Sequence, residues 1–358
     1  MADRKQVLVA GATGLVGAAV VEHVAARGCE VLALSRGKPA QRAGVRHVAL
    51  DLTDARACLD ARATLRDVTH LVYAALYEKP DLVAGWRERD QMDVNLAMLR
   101  NLMDALQGSS LRHVTVLQGT KAYGLHDVQV PVPAKERWPR AKHEVFYWLQ
   151  EDLLRDRQPR SPWTFTVLRP QLILGNAVGS PMNVIGAIGV YAATMRELGE
   201  PLRFPGGGRY VHAASDSRLI AAAAAWAGEQ PAAANQIFNI VNGDMLVWQD
   251  VWPAIAGHFG MAVGEPQPMR LADQMPRHEP VWQRVVQRHG LQDISAARLL
   301  SSSWQFTDRT FGYGLERPID RIESPIKLWQ AGFTGCMDTE DAILHWLSRM
   351  QAQRLLPR

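Results

Sequence analysis

With 358 residues, 47% of them hydrophobic and 21% charged, the chain can bury a large core as one elaborated domain or as two lobes. Its net charge of +4 is spread along the sequence with no block of basic residues, which argues against nucleic-acid binding. The longest apolar run, 219–228, falls far short of the roughly 20 residues that a membrane span needs. Cys29, Cys58 and Cys336 show neither pairing nor metal-ligand spacing, so no metal is expected and a reducing cytosol suits the thiols. The N-terminus carries no signal-peptide pattern, and a cytoplasmic protein is expected.

An apolar strand from Val7 to Ala10 leads into Gly11-Ala12-Thr13-Gly14-Leu15-Val16-Gly17. The glycines give the spacing GxxGxxG between strand and helix. Gly11 serves the tight turn, Gly14 lets backbone approach a pyrophosphate, and Gly17 lets helix pack on strand. The helix, over about 15–27, starts at Leu15 and Val16 with N–H groups free for phosphate oxygens.

A second strand, 29–34, ends at Ser35-Arg36. An NAD-binding chain usually carries an acid there for the ribose 2′-hydroxyl; Arg36 instead suits the 2′-phosphate of NADPH. A third strand, 45–50, is followed by Asp51-Leu52, where an acidic side chain would meet the adenine. A helix spans 54–66. The fourth strand, 70–75, ends in Ala74-Ala75, small enough for a cofactor to lie across its tip. Apolar residues at helical spacing from Met92 to Leu106 predict one long helix over 86–106. Within it Asn95 is either a brace for the sheet or an ordinary polar residue. Strands at 114–117 and 165–168 complete an alternation that predicts an α/β fold with a doubly wound parallel sheet. Ligands of such sheets sit at the carboxyl ends of the strands.

From Gly175 the alternation breaks. A helix is predicted near 183–198, a return helix over 212–227, and a late strand over 236–243. The rest of the chain is mostly helical and tryptophan-rich, and 265–268 has the composition of a stiff linker. The division expected is a dinucleotide-binding domain over 1–175, with 209–243 returning to it, and a smaller, mostly helical substrate lobe from 176–208 and 244–358.

These features resemble the extended short-chain dehydrogenase/reductases. That resemblance implies a serine after the fifth strand and a Tyr-x-x-x-Lys pair on the next helix. Here Gly119 stands in the serine place, His143 in the tyrosine place and Tyr147 in the lysine place. The usual acid/base set is missing, which argues against an ordinary alcohol dehydrogenase or sugar epimerase.

The same residues resemble one branch of that superfamily, the progesterone 5β-reductase and iridoid synthase-like enzymes. Gln118-Gly119-Thr120-Lys121 is similar to their TGTK segment, and 145–152 to their NFYYxxED segment. Further matches are Leu168-Arg169-Pro170, the segments 183–186 and 190–193, Phe204-Pro205-Gly206 and 238–244. The resemblance implies an NADPH-dependent reductase of the activated C=C bond of enones or enals, with Lys121 and Tyr147 as its catalytic pair. Gln118, Gly119, Tyr147, Pro170, Leu172 and Ile173 would complete the cofactor site. His143, Trp148, Met182 and Tyr191 would line the substrate pocket, with His143 also weighed as a ribose contact or second proton donor. Val145 and Trp148 replace the branch's asparagine and second tyrosine.

In 1,4-reduction, charge collects on the carbonyl oxygen and must be stabilised as it forms. A phenol can donate to that oxygen, and a nearby ammonium would favour the tyrosinate. Carbonyl reduction, sugar-nucleotide epimerisation or dehydration, and NADPH sensing without turnover stay open as alternatives. A homodimer is compatible with the resemblance, though no stretch of sequence requires one.

Overall fold

The computed structural model describes residues 5–37, 42–124, 131–140, 144–316 and 319–358. Six strands come first: β1 (Gln6–Ala10), β2 (Glu30–Ser35), β3 (Val45–Ala49), β4 (His70–Tyr73), β5 (His113–Leu117) and β6 (Thr164–Pro170). With Gln236–Ile240 they form one seven-stranded sheet in the order Gln236–Ile240, β6, β5, β4, β1, β2, β3. Every pairing is parallel, with Val9 opposite both Ala33 and Val72. The doubly wound parallel sheet expected from the sequence is therefore present.

Strand alternation sends neighbouring residues to opposite faces. Val7, Val9, Val31 and Ala33 pack under helix α1 (Leu15–Ala26) and helix Ser217–Ala227. Leu8, Ala10, Leu32 and Leu34 pack with Leu99 and Leu102 of helix Arg89–Ala105 on the other face. Both faces are apolar because both are covered, which is why these strands read as continuous hydrophobic runs. A third core holds the long helix Val184–Glu197 against Trp248, Trp252, Trp282 and Trp346. The late tryptophans are thus mainly core filling.

Three predicted helices differ from those observed. The long helix begins at Arg89, not 86, after a separate short helix Leu82–Gly85; Glu88 takes an extended conformation at its start. The 54–66 segment breaks at Ala61 into Ala55–Asp60 and Arg62–Leu65. The return helix begins at Ser217 rather than 212, because Ala214–Asp216 is a strand paired with β7 (Leu172–Leu174). The segment 265–268 is pinned to the preceding chain, with the N–H groups of Gln267 and Met269 donating to Phe204 O and Pro205 O. Among the described residues no helix is long and apolar enough to cross a membrane.

Asp216 joins the sheet region to the last helix. Fully buried, it accepts from the Arg218 N–H as N-cap, pairs with the Arg218 guanidinium at 2.6 Å, and accepts from Trp346 Nε1 at 3.1 Å. Asp216→Ala leaves a buried indole N–H and a partly buried cation without their acceptor. A loss of about 3 kcal/mol or more in unfolding free energy is expected, measured as the urea midpoint; an unchanged midpoint would refute this role for Asp216.

Candidate active site

The carboxyl ends of the strands open into one cleft of about 630 Å³. At its glycine-rich end, Gly11 has φ +81°, and a Cβ there would lie 2.7 Å from the Ala74 carbonyl and the Ala75 nitrogen. The turn can pass this close to β4 only as glycine. Gly17 does not line the cleft; it sits behind Gly11, where a Cβ would meet the Gly11 oxygen at 2.1 Å. Gly14 is the N-cap of α1 and carries no side chain to cap the helix, so the first-turn N–H groups face the cleft uncapped.

Thr13, Leu15, Val16, Ser35, Arg36, Asp51, Leu52, Ala74 and Ala75 line this same end. The Asp51 carboxyl is held below its usual range chiefly by the Thr53 N–H and hydroxyl, both donating to it, with Arg36 adding attraction. An uncapped helix start, a cradle that any Cβ would fill, and an arginine at the end of β2 fit a dinucleotide with its phosphates on α1.

Further along lie Gln118, Gly119, Lys121, Tyr147, Pro170, Leu172 and Ile173, so the cleft brings the predicted catalytic pair and the predicted cofactor residues together. Gln118 Nε2 donates to the Tyr147 carbonyl at 3.0 Å and ties β5 to helix Phe146–Arg157. A Cβ on Gly119 would stand 3.3 Å from the Tyr147 hydroxyl. The glycine in the serine place therefore leaves room for the phenol tip. Tyr147 is 7% exposed, and among the described residues its hydroxyl has no hydrogen-bond partner.

Lys121 is largely covered rather than free in solvent. Its Nζ lies 3.7 Å from Glu78 Oε1 and 3.5 Å from the centre of the Trp86 ring. Glu78 also accepts from Trp86 Nε1 at 3.2 Å and from Gln91 Nε2 at 2.6 Å. Burial pushes the Glu78 carboxyl up, and Lys121, Gln91 and Trp86 pull it back. Burial first, and then the Glu78 charge, push the Tyr147 phenol well above its ordinary value, against a smaller pull from Arg169. The sequence-based expectation of an ammonium favouring tyrosinate is thereby corrected: the amine is held by Glu78, and the phenol stays protonated. Glu78 was invisible to motif reading, because it lies in an irregular loop after β4 with no spacing signal. Asn95 holds that loop by accepting from Tyr77 N and donating to Tyr77 O, at 3.0 and 2.9 Å.

Two predicted pocket residues lie elsewhere. Trp148 faces a separate cavity of about 300 Å³, between Arg140 and Arg169 at 4.9 and 5.4 Å. Adjacent helix positions point about 100° apart, so Trp148 cannot share the direction of Tyr147. Tyr191 is buried in the helical core, donating to Arg203 O at 3.0 Å. Met182 does line the cleft, and His143 lies outside the described residues. Val145 caps the Tyr147 helix without a side-chain acceptor. The far wall comes from residues that the sequence reading did not single out: Ser301, Ser302, Phe306, Thr310, His212 and Arg321.

The NAD dependent epimerase/dehydratase family model matches residues 7–240. An (S)-8-oxocitronellyl enol synthase of Nepeta racemosa is 30% identical over 377 residues, covering 98% of this chain and 91% of its own. The chain belongs to that family, in the progesterone 5β-reductase and iridoid synthase-like branch. A 3-oxo-Delta(4,5)-steroid 5-beta-reductase of Arabidopsis thaliana is 29% identical, with 98% and 92% covered. The UDP-glucose 4-epimerase of Thermus thermophilus, solved with NAD, shares the fold at TM-score 0.65 and 21% identity, covering 96% of this chain and 99% of its own. A nicotinamide cofactor is accordingly the family's ligand for this cleft.

Because the Glu78 charge opposes ionisation of the Tyr147 phenol, Glu78→Gln should lower the pH at which that phenol ionises. Ultraviolet difference titration, taken as each protein minus its Tyr147→Phe counterpart, should place the native phenolate above the ordinary value of about 10. The Glu78→Gln protein should titrate at lower pH. Coincident curves would remove Glu78 from the site's electrostatics.

Proposed function

We propose that the protein is an NADPH-dependent ene-reductase that reduces the activated C=C bond of enones or enals. The observation that carries this reading is a buried Tyr147 hydroxyl with no acceptor among the described residues, facing a cleft that also holds the dinucleotide cradle. When bound, the nicotinamide supplies hydride to the β-carbon of the substrate. Tyr147 donates its hydrogen bond to the carbonyl oxygen and stabilises the enolate that develops there, and the enolate then takes its α-proton from water to give the saturated carbonyl compound. A serine at Gly119 would crowd that hydroxyl, so the chain lacks the usual proton-transfer set and keeps an oxyanion donor instead. Lys121, fixed by Glu78 and Trp86, adds a positive group on the same wall. Arg36 receives the 2′-phosphate and gives the preference for NADPH. The sheet carries the cofactor, and the helical part, 176–208 and 244–358, holds the substrate. The names of the Nepeta and Arabidopsis relatives, an enol synthase and a steroid 5β-reductase, support enone chemistry at this site.

Tyr147→Phe should lower kcat with 2-cyclohexenone or a 2-enal by about 100-fold, as removal of an oxyanion donor does, with the Kd for NADPH nearly unchanged. Unchanged kcat would exclude Tyr147 from the chemistry. The product should be the saturated carbonyl compound; an allylic alcohol would instead establish carbonyl reduction. Arg36→Ala should cut the NADPH-over-NADH preference by about tenfold or more, the size of a lost charge-assisted contact; a retained preference would place the selector elsewhere.

A further inference from the structure

Arg321 lines the cleft from the C-terminal part of the chain and is 6% exposed. Its Nε is buried without a hydrogen-bond partner, and among the described residues the guanidinium makes no ion pair. A cation buried this deeply is normally paired, since removing it from water is costly. Its surroundings do not supply the pairing. Tyr210 lies under it, 5.6 Å from ring centre to guanidinium carbon. His212, its neighbour across a backbone bridge, has Nε2 at 3.1 Å from the Thr310 carbonyl, so Nε2 carries the proton and Nδ1 is left as an unpaired buried acceptor. Burial and Arg321 both hold that imidazole neutral. Glu323, two residues on, is fully buried with neither oxygen hydrogen-bonded; burial pushes its carboxyl up, and the Arg321 charge pulls it only partly back. Neither a hydrogen bond nor an ion pair joins it to the guanidinium.

None of the cofactor cradle is built from this part of the chain. The glycine loop, Arg36 and Asp51 come from β1 to β3 and the turns after them, whereas Arg321 shares its wall with Met182, Phe306 and Thr310. We infer that the substrate is an enone or enal whose far end carries a carboxylate, received by the Arg321 guanidinium. The apolar side chains of Met182 and Phe306 take the hydrocarbon between the two polar ends. This assignment rests on the ene-reductase reading for the reacting end and on Arg321 alone for the anionic end.

The test compares an ω-carboxy-2-enal with its methyl ester of equal chain length. The native enzyme should favour the acid by about tenfold or more in kcat/KM, mostly through KM, as expected for a hydrogen bond to a buried charge. Arg321→Met should bring the acid-to-ester ratio close to one, and Arg321→Lys, which keeps the charge, should retain part of it. Because each ratio is taken within one protein, a change in the amount of folded enzyme does not affect it. Calorimetric binding of the saturated ω-carboxy aldehyde supplies a readout without turnover, with Kd rising about tenfold in Arg321→Met. Equal kcat/KM for acid and ester in the native enzyme would overturn the proposal. So would a weakened Kd for NADPH in Arg321→Met with the acid preference intact, which would assign the arginine to the cofactor. Binding of the saturated acid that depends on Arg321, with neither enal reduced, would sustain the carboxylate site and defeat the ene-reductase reading instead.

Discussion

The burial of Glu78 beside Tyr147 is the constraint on which the site depends. A carboxylate taken out of water needs donors, and three side chains supply them: Lys121, Trp86 and Gln91. Satisfying Glu78 therefore fixes Lys121 against the indole and anchors the loop after β4 to the helix Arg89–Ala105. The same charge raises the cost of ionising the phenol. One buried acid thus positions the cation and adds to the effect of burial in disfavouring the phenolate, an arrangement suited to hydrogen bonding rather than to proton shuttling.

The glycine turn does comparable work at the other end of the cleft. Gly11 and Gly17 bring the turn against the end of β4 and helix α1 against the turn more closely than any Cβ allows. The helix start they leave bare is suited to an anion, and it comes from geometry rather than from a basic side chain. This is why a net charge of only +4 is compatible with a phosphate-bearing ligand.

How much of this could be read from sequence depended on whether the signal was local. The strand runs and the glycine spacing were legible because each is written in a short window, and their alternation with helices implied a parallel sheet without giving its strand order. Gly119, Lys121 and Tyr147 were singled out through the family resemblance, whose motifs follow the fifth strand and open the next helix. Trp148 was misplaced because it is adjacent in sequence to Tyr147 but turned away from it on the helix. Tyr191 was misplaced because a polar tip on an apolar helix can end on a backbone carbonyl as well as in a pocket. Glu78, His212 and Arg321 left no local trace. They meet the cleft only through the long-range packing of loops, and no spacing rule encodes such meetings.

The loop after β4 has a further significance. It leaves the sheet carrying Glu78, yet it is fastened to the opposite wall, where Ser302 Oγ donates to Pro80 O at 3.1 Å and Leu82 N donates to Gln305 Oε1 at 3.3 Å. The hydrogen-bonding machinery is thus slung between two anchorages like a cable, and its tension is set partly from the far bank. Drift at positions 302 and 305, which make no covalent demand on the reaction, would retune the reactive groups while leaving them all in place. Related chains could in this way diverge in what they accept without altering a single residue of the reacting set.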